Sequence, residues 1–225
     1  MTNATDTQTP PVTDPRPALG QAIGVAADVI SSVRAEHLGR PTPCDAMTVS
    51  DLLSHLVMVA ERIGAAADGI DPQHWPASGP ELAVTEWADA FRIAGDAAVA
   101  DWARDDSVLA RPTALPWTTL PGADALAIYV NELVVHTWDL ATAIDTPAVW
   151  SDEVLAVAGA AIHSELPDPE RVAMWEALAA QMPEGIAFAA PFGDAVPIAD
   201  DASVIDRLIA WNGRSPQWPT PSAAS

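Results

Sequence analysis

Three ionisable side chains with helical spacing stand out first. The segment Tyr129-Val130-Asn131-Glu132-Leu133-Val134-Val135-His136-Thr137-Trp138-Asp139 places Glu132 and His136 four residues apart, with Asp139 three further on. On a helix such residues lie above one another on one face. Here the face is shared with Ala125, Ile128 and Ala143, so the polar groups point where a helix buries its apolar side. A carboxylate and an imidazole buried together need either each other or a cation. His55 lies on a comparable apolar stripe with Leu52, Leu56 and Val59. Two helices of one bundle could therefore present His55, Glu132 and His136 to a single point, as metal-binding bundles do. Spacing leaves two readings open, a metal centre and a buried hydrogen-bonded pair.

The elements that must carry these residues can be read from periodicity and stop signals. A first helix is expected from Pro17 to about Leu38, ended by Gly39 and Pro41-Thr42-Pro43. A second starts at Thr48, where Thr48 and Asp51 have capping-box spacing, and ends near Gly69. A third is expected over about 81–103, a long loop over 105–122, and a fourth helix over about 123–144. Shorter helices follow at about 151–166 and 169–181, then a hairpin or extended segment at 185–198. A final helix is capped by Asp200 or Asp201. The fold class is mainly α, a four-helix bundle with a long crossover loop and a small C-terminal α/extended appendage. Residues 1–16 read as a disordered tail, 17–215 as a single domain and 216–225 as a frayed tail.

Composition narrows the chemistry. All ten bases are arginine, which excludes a lysine Schiff base and a P-loop lysine. Against 31 acids they leave a net charge of −21, a field that repels nucleic acid and anionic membrane surfaces. No run is long and apolar enough for a membrane helix, and no secretion signal opens the chain. One cysteine, Cys44, permits no intramolecular disulfide, in keeping with a cytoplasmic location. The expected partner is a small-molecule substrate, with no nucleic acid and no membrane; pairing into a homodimer through a helix face fits bundles of this kind.

The stretch from Thr42 to Val57, Thr-Pro-Cys-Asp-Ala-Met-Thr-Val-Ser-Asp-Leu-Leu-Ser-His-Leu-Val, resembles the N-terminal signature of actinobacterial metal-binding proteins of the DinB-like superfamily. These are similar to the N-terminal domain of mycothiol-dependent maleylpyruvate isomerase. The stretch from Glu132 to Ala141 resembles the second signature of that family, and Ile205 to Arg214 its C-terminal ending. The sequence departs from the pattern at Met47, where tryptophan is usual, and at Thr137, where glycine is common. The separate C-terminal domain of the isomerase is not recognisable.

The resemblance implies one divalent metal held by His55, Glu132 and His136. Zinc is the favoured ion, with nickel and iron open. It further implies a low-molecular-weight thiol such as mycothiol, and a thiol S-transferase or isomerase acting on a small electrophile. A non-catalytic metal-binding or ligand-binding module is the alternative. Asp139 is then a candidate proton shuttle or partner of a ligand, and Arg214 a candidate anchor for a carboxylate of the thiol cofactor. Asp51 is read as a cap rather than an orienter of His55. Cys44 is read as a structural thiol rather than a nucleophile or fourth ligand. His37, His74 and His163 have no acid or thiol at ligand spacing. Trp138, beside the stripe, is the tryptophan placed best to line a pocket.

Overall fold

Several helix ends in this chain are set by short polar side chains, among them the starts of the helices at Val49, Asp152 and Val204. In the computed structural model, which describes residues 14–44, 47–179 and 193–218, α1 runs Arg16–Ser31 with Pro17 in its first turn. It stops seven residues short of the predicted end. Ser31 Oγ and Ser32 Oγ donate back to the carbonyls of Ala27 and Asp28, and a separate 3-10 turn follows at Ala35–His37. The chain then returns through a clasp in which Thr42 Oγ1 donates to Met47 O at 2.9 Å and accepts from Cys44 N at 3.2 Å.

α2, Val49–Asp68, begins and ends as the sequence predicts. Thr48 N donates to Asp51 Oδ2 at 2.9 Å and Asp51 N to Thr48 Oγ1 at 3.3 Å, the reciprocal pattern of a capping box. Asp51 is occupied by this cap, which holds its carboxyl below the usual range. At the other end Gly69 takes a left-handed conformation, φ 70°, that a β-carbon would strain.

α3, Trp87–Ala103, begins later than predicted. The preceding segment spends its polar groups on α2 instead. Ser54 Oγ donates to Pro80 O, Arg62 donates to Pro76 O, and a β-carbon on Gly79 would fall 1.9 Å from Ser54 O. The predicted loop 105–122 contains a 3-10 turn and a short antiparallel ribbon, β1 (Pro112–Ala114) with β2 (Thr119–Pro121), in the register Thr113 to Leu120. It delivers the chain to α4, Gly122–Ala143.

α4 packs on α1 and α2, and α3 packs on the other sides of the same two helices. The order around the bundle is therefore α1, α3, α2, α4. The core between them is leucine, isoleucine, valine and alanine, with Phe91 and Trp102 from α3. α5, Asp152–Glu165, is capped by Ser151 and packs on α4 and α1. α6, Val172–Ala179, and α7, Val204–Trp211, complete the C-terminal appendage.

The cap of α7 is Ser203, not Asp200 or Asp201. Its hydroxyl accepts from Asp206 N at 3.1 Å, three residues on, whereas either aspartate would start the helix too early. Residues 1–13 of the predicted tail, most of the 185–198 hairpin and residues 219–225 lie outside the described residues. The described part of that hairpin, 193–198, holds no strand. Among the described residues no helix is long and apolar enough to cross a membrane.

Candidate metal centre

α2 and α4 meet along a seam where the core stops being apolar. His55 reaches it from α2, and Glu132 and His136 reach it from successive turns of α4. His55 Nε2 lies 3.2 Å from Glu132 Oε1, and His136 Nε2 lies 3.9 Å from the same oxygen. The two imidazoles stand edge to face, 4.6 Å between centroids and 72° between planes. One donor atom from each of the three residues lies within 4.8 Å of the others. Their side chains are 16%, 27% and 12% exposed, so the cluster is mostly enclosed but reached by solvent. Two imidazoles and a carboxylate converging in this way are a donor set suited to a divalent transition metal with an open position.

The electrostatics favour an anionic Glu132. Burial pushes its carboxyl up, but the hydrogen bond to His55 and the charges of His136, His55 and Arg214 outweigh burial and hold it at about 2. Because the ordinary value is 4.5, the ionised carboxylate adds stability above about pH 4.5, and this is lost as pH falls through about 2. Glu132→Gln is therefore expected to remove that part of the acid dependence in metal-free protein. In denaturant melts the stability gap between parent and variant should be full and constant above about pH 4.5 and shrink toward pH 2; a gap that does not change between pH 4.5 and 2 would contradict the assignment.

Behind His136 lies Asp139, wholly enclosed. Its Oδ2 is 3.2 Å from His136 Nδ1 and 3.4 Å from Arg214 Nη2. The Nδ1 side of the ring is thus committed to a carboxylate while Nε2 faces Glu132, the usual support of a metal-bound histidine. A carboxylate with no exposed surface is placed to orient a ring. Asp139 Oδ1 and Arg214 Nε are buried and have no hydrogen-bond partner among the described residues. Arg214 is 13% exposed and also donates from Nη1 to Asn212 O at 3.0 Å.

Cys44 is half-buried and groups with His136 and Asp139, one donor atom from each within 4.8 Å, rather than with His55 and Glu132. The Arg214 guanidinium on Asp139 sets a positive charge beside that second group and works against a cation there. Of the remaining histidines, His37 is buried with its ring nitrogens toward Arg34, His74 is exposed, and His163 stacks on Trp211 at 4.3 Å. Trp138 is half-buried and makes none of the site's hydrogen bonds.

Three neighbours escaped the sequence reading. Tyr129, the sole tyrosine, sits one turn before Glu132 and packs 6.5 Å from Trp75. Burial, reinforced by the charge of Glu132, raises its hydroxyl well above the usual range and keeps it a neutral donor. The i,i+3 spacing to Glu132 was its signal. Asn131 and Asn212 form a buried amide pair behind the site, and no local pattern announces it.

A bundle of four helices with a His–Glu–His cluster on the α2/α4 seam defines the class of protein. The chain belongs to the family described as mycothiol maleylpyruvate isomerase N-terminal domain, which it matches over residues 19–141, the span of α1 to α4. Two uncharacterized proteins of Mycobacterium tuberculosis, from strains CDC 1551 / Oshkosh and ATCC 25618 / H37Rv, are each 30% identical over 207 residues. Each match covers 90% of this chain and 98% of the relative. No solved structure gives a significant match.

Proposed function

We propose that the protein binds one divalent metal ion, zinc in preference to nickel or iron, through His55, Glu132 and His136. We propose further that it serves in the cytoplasm as a mycothiol-type S-transferase or isomerase for a small electrophilic substrate. The observation that carries this reading is the convergence of two imidazoles and an ionised carboxylate from two helices, partly open to solvent and backed by a buried aspartate. A divalent ion at that point lowers the pKa of a bound thiol, so that it is held as thiolate near neutral pH. The chain's own residues supply the rest. Asp139 fixes the His136 ring through Nδ1, and Arg214 offers positive charge at the edge of the site to an anionic group of the thiol or substrate. Tyr129 offers a neutral O–H one helical turn from Glu132.

The test uses protein loaded with cobalt(II) and carrying Cys44→Ser, so that any thiolate signal comes from added thiol. Titration with mycothiol is expected to produce a thiolate-to-cobalt charge-transfer band that His136→Ala lacks. A loaded site with no such band at saturating thiol would leave a non-catalytic metal-binding module instead. Asp139→Asn keeps the size of the side chain but loses its charge, and is expected to weaken zinc binding by roughly 10–100-fold. Competition against a chromophoric chelator reads this directly; an unchanged dissociation constant would remove Asp139 from the site.

A further inference from the structure

The match to the family ends at residue 141, yet a residue of the site comes from beyond it. Arg214 follows α7 and meets Asp139 of α4 across 75 residues of sequence. Its placement depends on a contact one step removed. Asn131 Nδ2 donates to Asn212 Oδ1 at 3.0 Å, and Asn212 Nδ2 donates back to Asn131 Oδ1 at 3.1 Å. Both residues are almost wholly enclosed, and Asn212 Nδ2 also donates to Leu208 O at 2.9 Å, at the end of α7. The chain then turns sharply at Gly213, φ 79°, with Arg214 N closing on Ile209 O at 3.1 Å.

Asn131 immediately precedes Glu132, and Asn212 stands two residues before Arg214. One reciprocal amide pair therefore ties the backbone that carries a ligand to the backbone that carries the guanidinium. Within a low-dielectric interior such a pair has one geometry that satisfies both amides, and any slip leaves buried donors unpaired.

We propose that the Asn131–Asn212 pair is a positioning device of the site. It sets the register of the C-terminal segment on α4 so that Arg214 reaches Asp139 and the His136 ring keeps Nδ1 toward Asp139 and Nε2 toward Glu132. The appendage is on this account part of the centre. The inference takes its metal readout from the proposed function but has a second readout that needs no metal.

The experiment compares the parent with Asn131→Ala, Asn212→Ala and Asn212→Asp; the last retains the acceptor for Asn131 Nδ2 and serves if the alanine variants do not fold. Ile205→Ala, which trims a side chain packing the same helix against the core while leaving Leu208, Asn212 and Asn131 unchanged, is the control. In metal-free protein the His136 ring-nitrogen NMR resonances are expected to move in the asparagine variants and to stay at their parent positions in the control. The zinc dissociation constant should rise about tenfold in the former and hold in the latter. The double variant Asn131→Ala/Asn212→Ala should add little to either single one, because both remove the same pair. Resonances and zinc affinity that stay at parent values in the asparagine variants, with stability lost as in the control, would overturn the proposal. A parent that binds no zinc, but whose His136 resonances move as expected, would remove the metal reading and leave the positioning role standing.

Discussion

Protein purified without chelator is expected to carry one divalent metal ion per chain, and His55→Ala and His136→Ala are each expected to lose it. The size of the effect follows from what each variant leaves. Without His55, the remaining imidazole beside Glu132 is His136 at 3.9 Å; without His136, it is His55 at 3.2 Å. Either loss removes a direct donor, and so should cost more than the roughly 10–100-fold that removal of an outer partner costs. Elemental analysis after gel filtration reads the content. Because a bound ion stabilises only the folded state, a chelator should lower the melting temperature of the parent and leave that of His136→Ala where it was. A parent that takes up no zinc, nickel or iron, and melts alike with and without chelator, would reduce the cluster to a buried hydrogen-bonded pair.

Trp102→Ala should produce the largest loss of stability. Trp102 is wholly enclosed on α3, and its ring N–H donates to Ile63 O of α2 at 2.9 Å. Truncation removes the largest fully buried side chain of the core together with a hydrogen bond between two helices. A core this rich in alanine has small residues around the gap that cannot extend to fill it. The expected cost is about 3–5 kcal/mol, near the upper end for aromatic truncation. Urea melts of the metal-free protein check it. A loss under about 1 kcal/mol would mean that α2 and α3 close over the gap, against the usual behaviour of packed interiors. Since α2 also carries His55, a large loss should be accompanied by weaker metal retention on heating.

Local chemistry was legible in the sequence wherever it depends on neighbours a few residues apart. The start of α2 at Thr48 and Asp51, its end at Gly69, and the stripe of Glu132, His136 and Asp139 on α4 all rest on caps and periodicity of that range. Where short side chains compete with the helix, the reading slipped. Ser31 and Ser32 end α1 early, Ser54 holds Pro80 and keeps residues before Trp87 out of α3, and Ser203 takes the cap from the preceding aspartates. Each slip has one physical origin: a hydroxyl offers the backbone a second partner, and packing decides which one it takes.

The sequence by itself determined that this is a mainly helical chain with a carboxylate and two imidazoles on buried faces, and that no lysine takes part in its chemistry. Only the tertiary structure decided that His55 meets Glu132 across 77 residues, that Asp139 is fully enclosed behind His136, and that Arg214 and the Asn131–Asn212 pair bring the C-terminal segment to the same place. Helical spacing is enforced by hydrogen bonds four residues apart and leaves a mark in any short window. Contacts between helices are chosen by the packing of whole faces, and two asparagines 81 residues apart carry no sign of each other until that packing is made.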